Sequence, residues 1–496
     1  MSQNPVFLAI DLGASSGRVM AGWIADERLH LEEVHRFPTT STLLPSGYHW
    51  DLQHIFRSVL EGLQKSAERY GERIAGMAAD TWGVDYGLLD KNDRLIGEPY
   101  QYRDPRGEEM EKQLVASIGR ETIYRETGIQ FMFFNTINQL AAENHEEPRR
   151  LQLAESLLFL PDLISFWLCG VKIQETSIAS TSQLWNPQTR TWSEHLLREI
   201  GLPEKLFIPV TDPGTPLGPL TKTVRDITGL GPVPVIAVAG HDTGSAVAGT
   251  PLDARAPVFL SSGTWSIMGI ESSEPYVNDE ALGESFSNEA GVYQTTRFLK
   301  NICGMWLIEQ LRDQWSREGN DYSYDNLLDM AREARPFTAL IDPDDPRFAT
   351  PGKMVDRIEA YCRETEQDVP ATKGELVRVA FESLACKYRI VFEKLEALAD
   401  ADFPSLRIVG GGCQNAFLNQ CTANALGRPV IAGPIEATSV GNLLLQMIAT
   451  DQVADLPRGR ELVDRSFESA TFNPEEPDAW KEPVQRLKQL IQSQKI

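Results

Sequence analysis

Two stretches of this 496-residue chain gather small residues in the way that suits a phosphate group. Gly13-Ala14-Ser15-Ser16-Gly17 follows the apolar run Val6–Leu12, and Ser261-Ser262-Gly263-Thr264 follows Val258–Leu260. Small residues in a tight turn let the backbone approach phosphate oxygens closely and direct several N–H groups at them. Two such turns could grip a triphosphate from opposite sides, although Gly/Ser-rich turns also close ordinary hairpins. Neither is a Walker loop, because G-x-x-x-x-G-K-[ST] occurs nowhere. Asp11 stands directly before the first turn, where its carboxylate could bind Mg²⁺ through water, as is usual for a metal shared with phosphates. Arg18 leaves the same turn and could face phosphate or serve a structural role. Asp242 follows the apolar run Val235–Ala239 and precedes Thr243-Gly244-Ser245-Ala246, which reads as the start of a small-residue helix. A carboxylate at a strand-to-helix junction can accept the proton of a hydroxyl nucleophile, or it can cap the helix. A third glycine cluster, Gly410-Gly411-Gly412, follows the strand-like Leu406–Val409 and could let a flat base or ribose lie on bare backbone, or could be a plain corner. Phosphate loops, a metal-binding carboxylate and a carboxylate base are the parts that phosphoryl transfer needs.

The elements that hold these residues are readable from apolar patterning. Val6–Leu12 with Val19–Ile24, and Val258–Leu260 with Ile267–Ile270, are β-rich runs on either side of a small-residue turn, which predicts two hairpins. They begin about half a chain apart, and an internal duplication is the economical explanation. Strand-like runs at Ala75–Ala79 and Val235–Ala239 alternate with helical stretches, which predicts α/β layers. Val377, Phe381, Leu384, Tyr388, Val391 and Leu395 form one apolar face of a long core helix. The turn-rich segment 249–257 places a domain boundary near residue 250, giving domains 1–248 and 249–496. The tail after Phe472 shows no chemistry.

Composition narrows the function classes. Hydrophobic residues make up 42%, enough for two cores, and 47 Lys and Arg against 70 Asp and Glu leave a net charge of −23. Such a surface repels nucleic acid and anionic membrane. The N-terminus has no basic stretch ahead of an apolar one, and the longest apolar run, Leu157–Cys169, is broken by Pro161 and Asp162. Six cysteines without a C-x-x-C pair, and seven His without H-E-x-x-H spacing, predict reduced thiols and no structural metal. The expectation is a soluble cytoplasmic protein; the oligomeric state stays open, and nothing in the sequence requires more than a monomer.

Taken together, these residues resemble the FGGY family of carbohydrate kinases, over nearly the whole chain to about residue 450. The likeness rests on D-L-G-A-S-S-G-R (11–18), D-T-W-G-V-D (80–85), Y-R-D-P-R (102–106), G-I-Q-F-M-F-F-N-T (128–136), G-H-D-T-G-S-A (240–246), S-S-G-T-W-S (261–266), L-K-N-I-C-G-M-W (299–306) and G-G-G-C-Q-N (410–415). The first and fourth of these point to the branch that acts on L-rhamnulose. The resemblance implies an α/β, actin-like (ribonuclease H-like) ATPase fold, with two duplicated domains and a central cleft. It implies Mg²⁺-dependent transfer of the γ-phosphate of ATP to the 1-hydroxyl of L-rhamnulose, in rhamnose catabolism. The N-terminal domain would bind sugar, and would carry the first phosphate loop and the catalytic Asp. The C-terminal domain would carry the second loop and bind adenosine. Position by position, Ala14, Ser15, Ser16, Gly17 and Arg18 match the first ATP loop, and Thr264, Asn301 and Gly411 match further nucleotide contacts. Asp242 matches the proton acceptor, and Gly83, His241 and Asp242 match sugar contacts. One departure is Glu309, where the family pattern has Gln, which puts that nucleotide contact in doubt. Trp82 could stack on an apolar sugar face or belong to the core. A kinase for another ketose such as L-fuculose, a non-catalytic sugar sensor, and an actin-like ATPase are the competing readings.

Overall fold

The computed structural model describes residues 4–493. Strands β1 (Val6–Leu12) and β2 (Ser16–Ala25) form the first predicted hairpin, with Asp11 opposite Arg18, and β3 (Arg28–Pro38) extends it antiparallel. β4 (Ile74–Thr81) pairs parallel with β1. Beyond it, β5 (Thr215–Pro219) and β6 (Pro234–Ala237) pair antiparallel with each other, and β6 lies parallel to β4. The sheet order is β5-β6-β4-β1-β2-β3. Every residue of β1 is buried, as expected for a strand covered on both faces. On one face Val6, Leu8 and Ile10 share a core with Ile55, Val59 and Leu63 of helix Leu52–Tyr70. On the other, Phe7 and Ala9 share a core with Val440, Leu443, Leu444 and Met447. β6 stops two residues short of its predicted run, and the chain rejoins β4 just beyond it, where the Thr81 N–H donates to the Gly240 carbonyl at 2.8 Å.

The second half repeats this plan. β7 (Val258–Ser262) and β8 (Trp265–Ser272) form the other predicted hairpin. β9 (Ser287–Ala290) and β10 (Thr296–Cys303) form a further one. β11 (Leu406–Val409) pairs parallel with β7, β12 (Val430–Ala432) parallel with β11, and β13 (Ala470–Phe472) antiparallel with β12. The run β13-β12-β11-β7-β8 therefore has the same order and directions as β5-β6-β4-β1-β2, which is the duplication that the paired hairpins predict. Helix Lys373–Ala399 buries all six residues of its predicted apolar face, and the tail forms helix Lys481–Ser493.

By internal contacts the chain forms two units. The first takes the chain up to Pro251, then Glu271–Leu299 and Ala437–Phe467; the second takes Leu252–Ile270, Lys300–Glu436 and the chain from Glu468. No helix among the described residues is long and apolar enough to cross a membrane, and the six cysteines are free thiols.

Within the first unit, helix α1 (Asp242–Ala248) lies against helix α2 (Ala437–Ala449), backbone to backbone at two glycines. A Cβ on Gly441 would fall 1.8 Å from the Ser245 carbonyl oxygen, and one on Gly249 would fall 2.4 Å from that of Ala437. Gly441→Ala should therefore push the helices apart and lower stability by about 1–3 kcal/mol, the usual cost of overpacking. Gly283→Ala, where a Cβ meets nothing within 4 Å, should be nearly neutral. Urea denaturation compares the two; equal midpoints would contradict the close contact.

Candidate functional site

The parallel strands of the first sheet deliver acidic groups to one end. Asp11 near the end of β1 and Asp80 near the end of β4 are register partners, and Thr81 pairs with His241 in a parallel bridge. Asp11, Asp80 and the His241–Asp242 pair thus lie at the carboxyl ends of the parallel strands, the edge where open α/β sheets place active groups. Asp11 Oδ2 accepts from Ser439 Oγ at 2.6 Å and is 3.2 Å from the Arg18 guanidinium. Asp80 is fully buried: Oδ2 accepts from Asn442 Nδ2 at 2.6 Å, while Oδ1 has no hydrogen-bond partner among the described residues. Burial, then the Asp11 charge, hold the Asp80 carboxyl well above the usual carboxylate range. An orphaned buried oxygen beside a second carboxylate is a hard-oxygen set of the kind that hydrated Mg²⁺ takes, so the residues fit that ion.

Asp242 is the first residue of α1, and its side chain remains 30% exposed. His241 occupies the cap position, so the alternative reading of Asp242 as the helix cap does not apply. Its Oδ1 accepts from Thr243 Oγ1 at 3.1 Å. Burial raises its pKa, His241 pulls it down and the Asp11 charge pushes it up, with the net direction upward. His241 has Nε2 3.5 Å from Asp242 Oδ1 and Nδ1 3.0 Å from Glu289 Oε2. Glu289 pairs with Arg297 across β9 and β10, their charges 3.1 Å apart, and Arg297 is completely buried.

Gly83 lies beside the same imidazole: a Cβ there would be 3.3 Å from His241 Nε2. The next residue, Val84, has φ of +67°, a strained value for a β-branched side chain. Two threonines hold it, its N–H donating to Thr181 Oγ1 at 3.1 Å and its carbonyl accepting from Thr136 Oγ1 at 2.6 Å. Trp82 proves to be core, 6% exposed and 4.2 Å from the Trp50 ring, so it offers no wall to a sugar. Its indole N–H and that of Trp50 both donate to Asp85 Oδ2, at 2.8 and 2.6 Å. The Tyr102 N–H adds a third bond to that oxygen, and Gln139 Nε2 donates to Oδ1. Burial pushes the Asp85 carboxyl up to about 6 against these four donors, so at neutral pH it is the anion that accepts from all of them.

In the first turn, the Gly13 N–H donates to the Ser16 carbonyl, and Thr39 ties down the carbonyls of Gly13 and Ser15. Ala14 and Ser15 form the turn itself, Ser16, Gly17 and Arg18 open β2, and Gly17 is buried against Phe37 and Leu12. The remaining predicted residues belong to the second unit. Thr264 sits in the β7–β8 turn and donates to Glu309 Oε1 at 3.3 Å, so the carboxylate at this departure from the family pattern receives a hydroxyl. Asn301 lies on β10. Gly411 opens the short 3₁₀ turn after β11, and a Cβ there would meet nothing within 4 Å, whereas one on Gly412 would collide with Ser262.

Sequence reasoning missed Asp80, Asp85, Glu289, Arg297, Ser439 and Asn442 as parts of this end of the unit. The first two had a signal, since D-T-W-G-V-D follows an apolar strand just as Asp11 ends one. The others carry none. Replacing Asp85 by Ala leaves four buried donors without their acceptor and should cost about 3 kcal/mol or more, at ~1–3 kcal/mol for each buried group left unpaired. Asp85→Asn keeps an acceptor oxygen and should recover much of the loss. Chemical denaturation of both variants tests this; equal stabilities would remove Asp85 from its role as the hub of these loops.

Comparison with known proteins identifies the family and the fold. The model of the N-terminal domain of the FGGY family of carbohydrate kinases matches residues 6–249, and that of the C-terminal domain matches residues 258–450. A rhamnulokinase of Bacteroides thetaiotaomicron is 45% identical over 97% of this chain and 98% of its own length. One from Bacillus subtilis is 39% identical over 95% of this chain and 96% of its own. Among solved structures, a gluconate kinase from Lactobacillus acidophilus superposes with a TM-score of 0.82 at 15% identity, covering 99% of this chain and 98% of that one. A xylulose kinase from the same organism superposes with a TM-score of 0.81, also at 15% identity and with the same coverage. The fold is thus the two-domain, actin-like α/β fold of sugar kinases, and the chain belongs to the FGGY family of carbohydrate kinases.

Proposed function

We propose that this chain transfers the γ-phosphate of ATP to the 1-hydroxyl of L-rhamnulose, giving L-rhamnulose 1-phosphate and ADP. The carrying observation is Asp242: a partly exposed carboxylate at the head of α1, beside His241 and Gly83, in a chain whose near-full-length relatives are rhamnulokinases. Asp242 accepts the hydroxyl proton as the nucleophile attacks. The transition state of phosphoryl transfer is loose, so this proton moves late and orientation matters more than base strength. His241 and Gly83 hold the sugar. Ala14, Ser15, Ser16, Gly17 and Arg18 meet the phosphates, and Thr264, Asn301 and Gly411 meet the rest of the nucleotide. Asp11, with Asp80 behind it, would hold Mg²⁺ through water; the ion supplies neutralisation of phosphate charge.

In this reading residues 1–248 bind sugar and carry the first phosphate loop and the base, while 249–496 carry the second loop and the adenosine site. The protein works in the cytosol on small molecules, without nucleic-acid or membrane partners. Phosphorylation of another ketose, such as L-fuculose, is the second reading, because only the segments 80–85 and 128–136 separate the sugars.

Asp242→Asn should keep ATP and sugar binding by calorimetry while turnover falls at least ~10²-fold, the low end for loss of a general base. Undiminished turnover would dispose of the assignment. ADP release with Mg²⁺-ATP and a panel of L-rhamnulose, L-fuculose, L- and D-xylulose and glycerol should be strong with L-rhamnulose. Preference for another sugar would overturn the substrate, and silence throughout would favour a sensor.

A further inference from the structure

A short connection, residues 238–241, carries the chain from the end of β6 to Asp242 at the head of α1. Its carbonyls are bonded from β4 and from α1 itself. That of Ala239 accepts from Ser245 Oγ at 2.8 Å, that of Gly240 from the Thr81 N–H at 2.8 Å, and that of His241 from the Gly244 N–H at 2.7 Å. The last two N–H groups are met by a different part of the chain, the turn that opens helix Thr176–Ala179. The Gly240 N–H donates to Glu175 Oε2 at 2.8 Å, and the His241 N–H to Ser177 Oγ at 3.2 Å. Ser177 Oγ donates in turn to Glu175 Oε2 at 2.6 Å. One carboxylate thus holds, directly and through a hydroxyl, the two peptide groups just ahead of Asp242. Gly240 and His241 are buried, so water does not stand in for either bond.

Glu175 also caps its own helix, accepting from the Ser177 N–H at 2.8 Å and the Ile178 N–H at 3.2 Å. Capping alone does not account for it. Ser, Thr, Asp and Asn are the usual caps, and a hydroxyl would serve a helix of four residues without burying a charge. Glu175 is 1% exposed. Its extra methylene carries Oε2 past the turn to a residue 65 positions further on. Gly240 admits that oxygen because it has no side chain: a Cβ there would lie 3.0 Å from Glu175 Oε2 and 3.0 Å from Pro161 Cγ. Behind Glu175, buried Asp162 accepts the Glu175 N–H, at 3.3 Å from Oδ1 and 3.2 Å from Oδ2.

We propose that Glu175 is a positioning residue for Asp242. It fixes the Gly240 and His241 peptide groups, so that the carboxylate after them meets the attacking hydroxyl in one orientation. This rests on the sugar-kinase reading above. In that reaction the proton moves late and orientation outweighs base strength, so a base on a drifting backbone works poorly.

Glu175→Asp separates capping from positioning. The shorter carboxylate still caps Thr176–Ala179, so stability in urea should be kept, but it falls short of Gly240. Turnover at saturating sugar should drop ~10²-fold, the effect of a misplacement of about 1 Å, with KM for ATP unchanged. In an Asp242→Asn background the same substitution should cost nothing further, because no base is left to position. Wild-type turnover in Glu175→Asp, or an additive loss in the double variant, overturns the proposal. The grip is also measurable without substrate. By mass spectrometry, peptides covering 238–242 should exchange backbone hydrogen faster in Glu175→Asp than in the wild type, while those of β1 keep their protection. Equal exchange overturns the proposal. Should Glu175→Asp fail to fold, Ser177→Ala, which removes the hydroxyl that holds the His241 N–H, replaces it. Turnover should again fall, and again not in the Asp242→Asn background; wild-type turnover in Ser177→Ala overturns the proposal. Wild-type silence toward every sugar would overturn the kinase reading and the positioning role with it. An active wild type matched by its variant would overturn the positioning role alone.

Discussion

Where α1 crosses α2, Gly249 and Gly441 bring backbone against backbone, and neither helix can slide or tilt without atoms overlapping. That contact sets the height of α1 above the sheet, and Asp242 is its first residue. It also decides which face of α2 looks at the strands. Ser439, Asn442 and Gln446 recur at helical spacing on that face, and they bond to Asp11, to Asp80 and to the Leu8 carbonyl. One helix therefore supplies both the stop against which α1 rests and the donors that tie down the ends of β1 and β4. Its apolar residues, among them Val440, Leu443, Leu444 and Met447, fill the core below, each buried leucine contributing about 1.5–3 kcal/mol.

The charges at the strand ends follow an uneven plan. Asp11 has Arg18 beside it, directly across the hairpin. Asp80 accepts from an amide and feels the Asp11 charge and, less, those of Asp242 and Arg18, and Asp242 shares in the repulsion from Asp11. Like-charged carboxyl groups are thus gathered where the sheet opens, at the residues proposed to hold Mg²⁺. On the far side of His241 the opposite holds, because Glu289 and Arg297 cancel and leave a locally neutral, immobile backing.

Much of this was legible in the sequence. The two hairpins, β4, β6, β11 and the long helix are where apolar runs and their spacing predicted them, since each is a continuous local pattern. Asp11 and Asp242 were legible because each adjoins such a run. Glu289 and Arg297 were not, because their pairing arises from strand register and their link to His241 from tertiary packing. Ser439, Asn442 and Gln446 looked like ordinary polar interruptions of an apolar helix, and only the strand ends beneath them give those side chains a meaning. Trp82 shows the converse: an aromatic beside the candidate sugar contact Gly83 suggested a ligand surface, while the indole N–H is spent on Asp85.

The first unit is assembled from three separated stretches of chain, and α2 belongs to the last of them. During synthesis, the strands that carry Asp11 and Asp80 leave the ribosome long before the helix that covers them. Until Ala437–Ala449 is made, one apolar face of β1 and two buried carboxylates stand without their cover, so the nascent first half is not a finished module. The acidic end of the sheet matures only when α2 docks, which ties the onset of activity to near-completion of the polypeptide. A gene fragment ending near residue 250, at what looks like a natural boundary, would encode Asp11, Asp80 and Asp242 and still lack the helix that covers them.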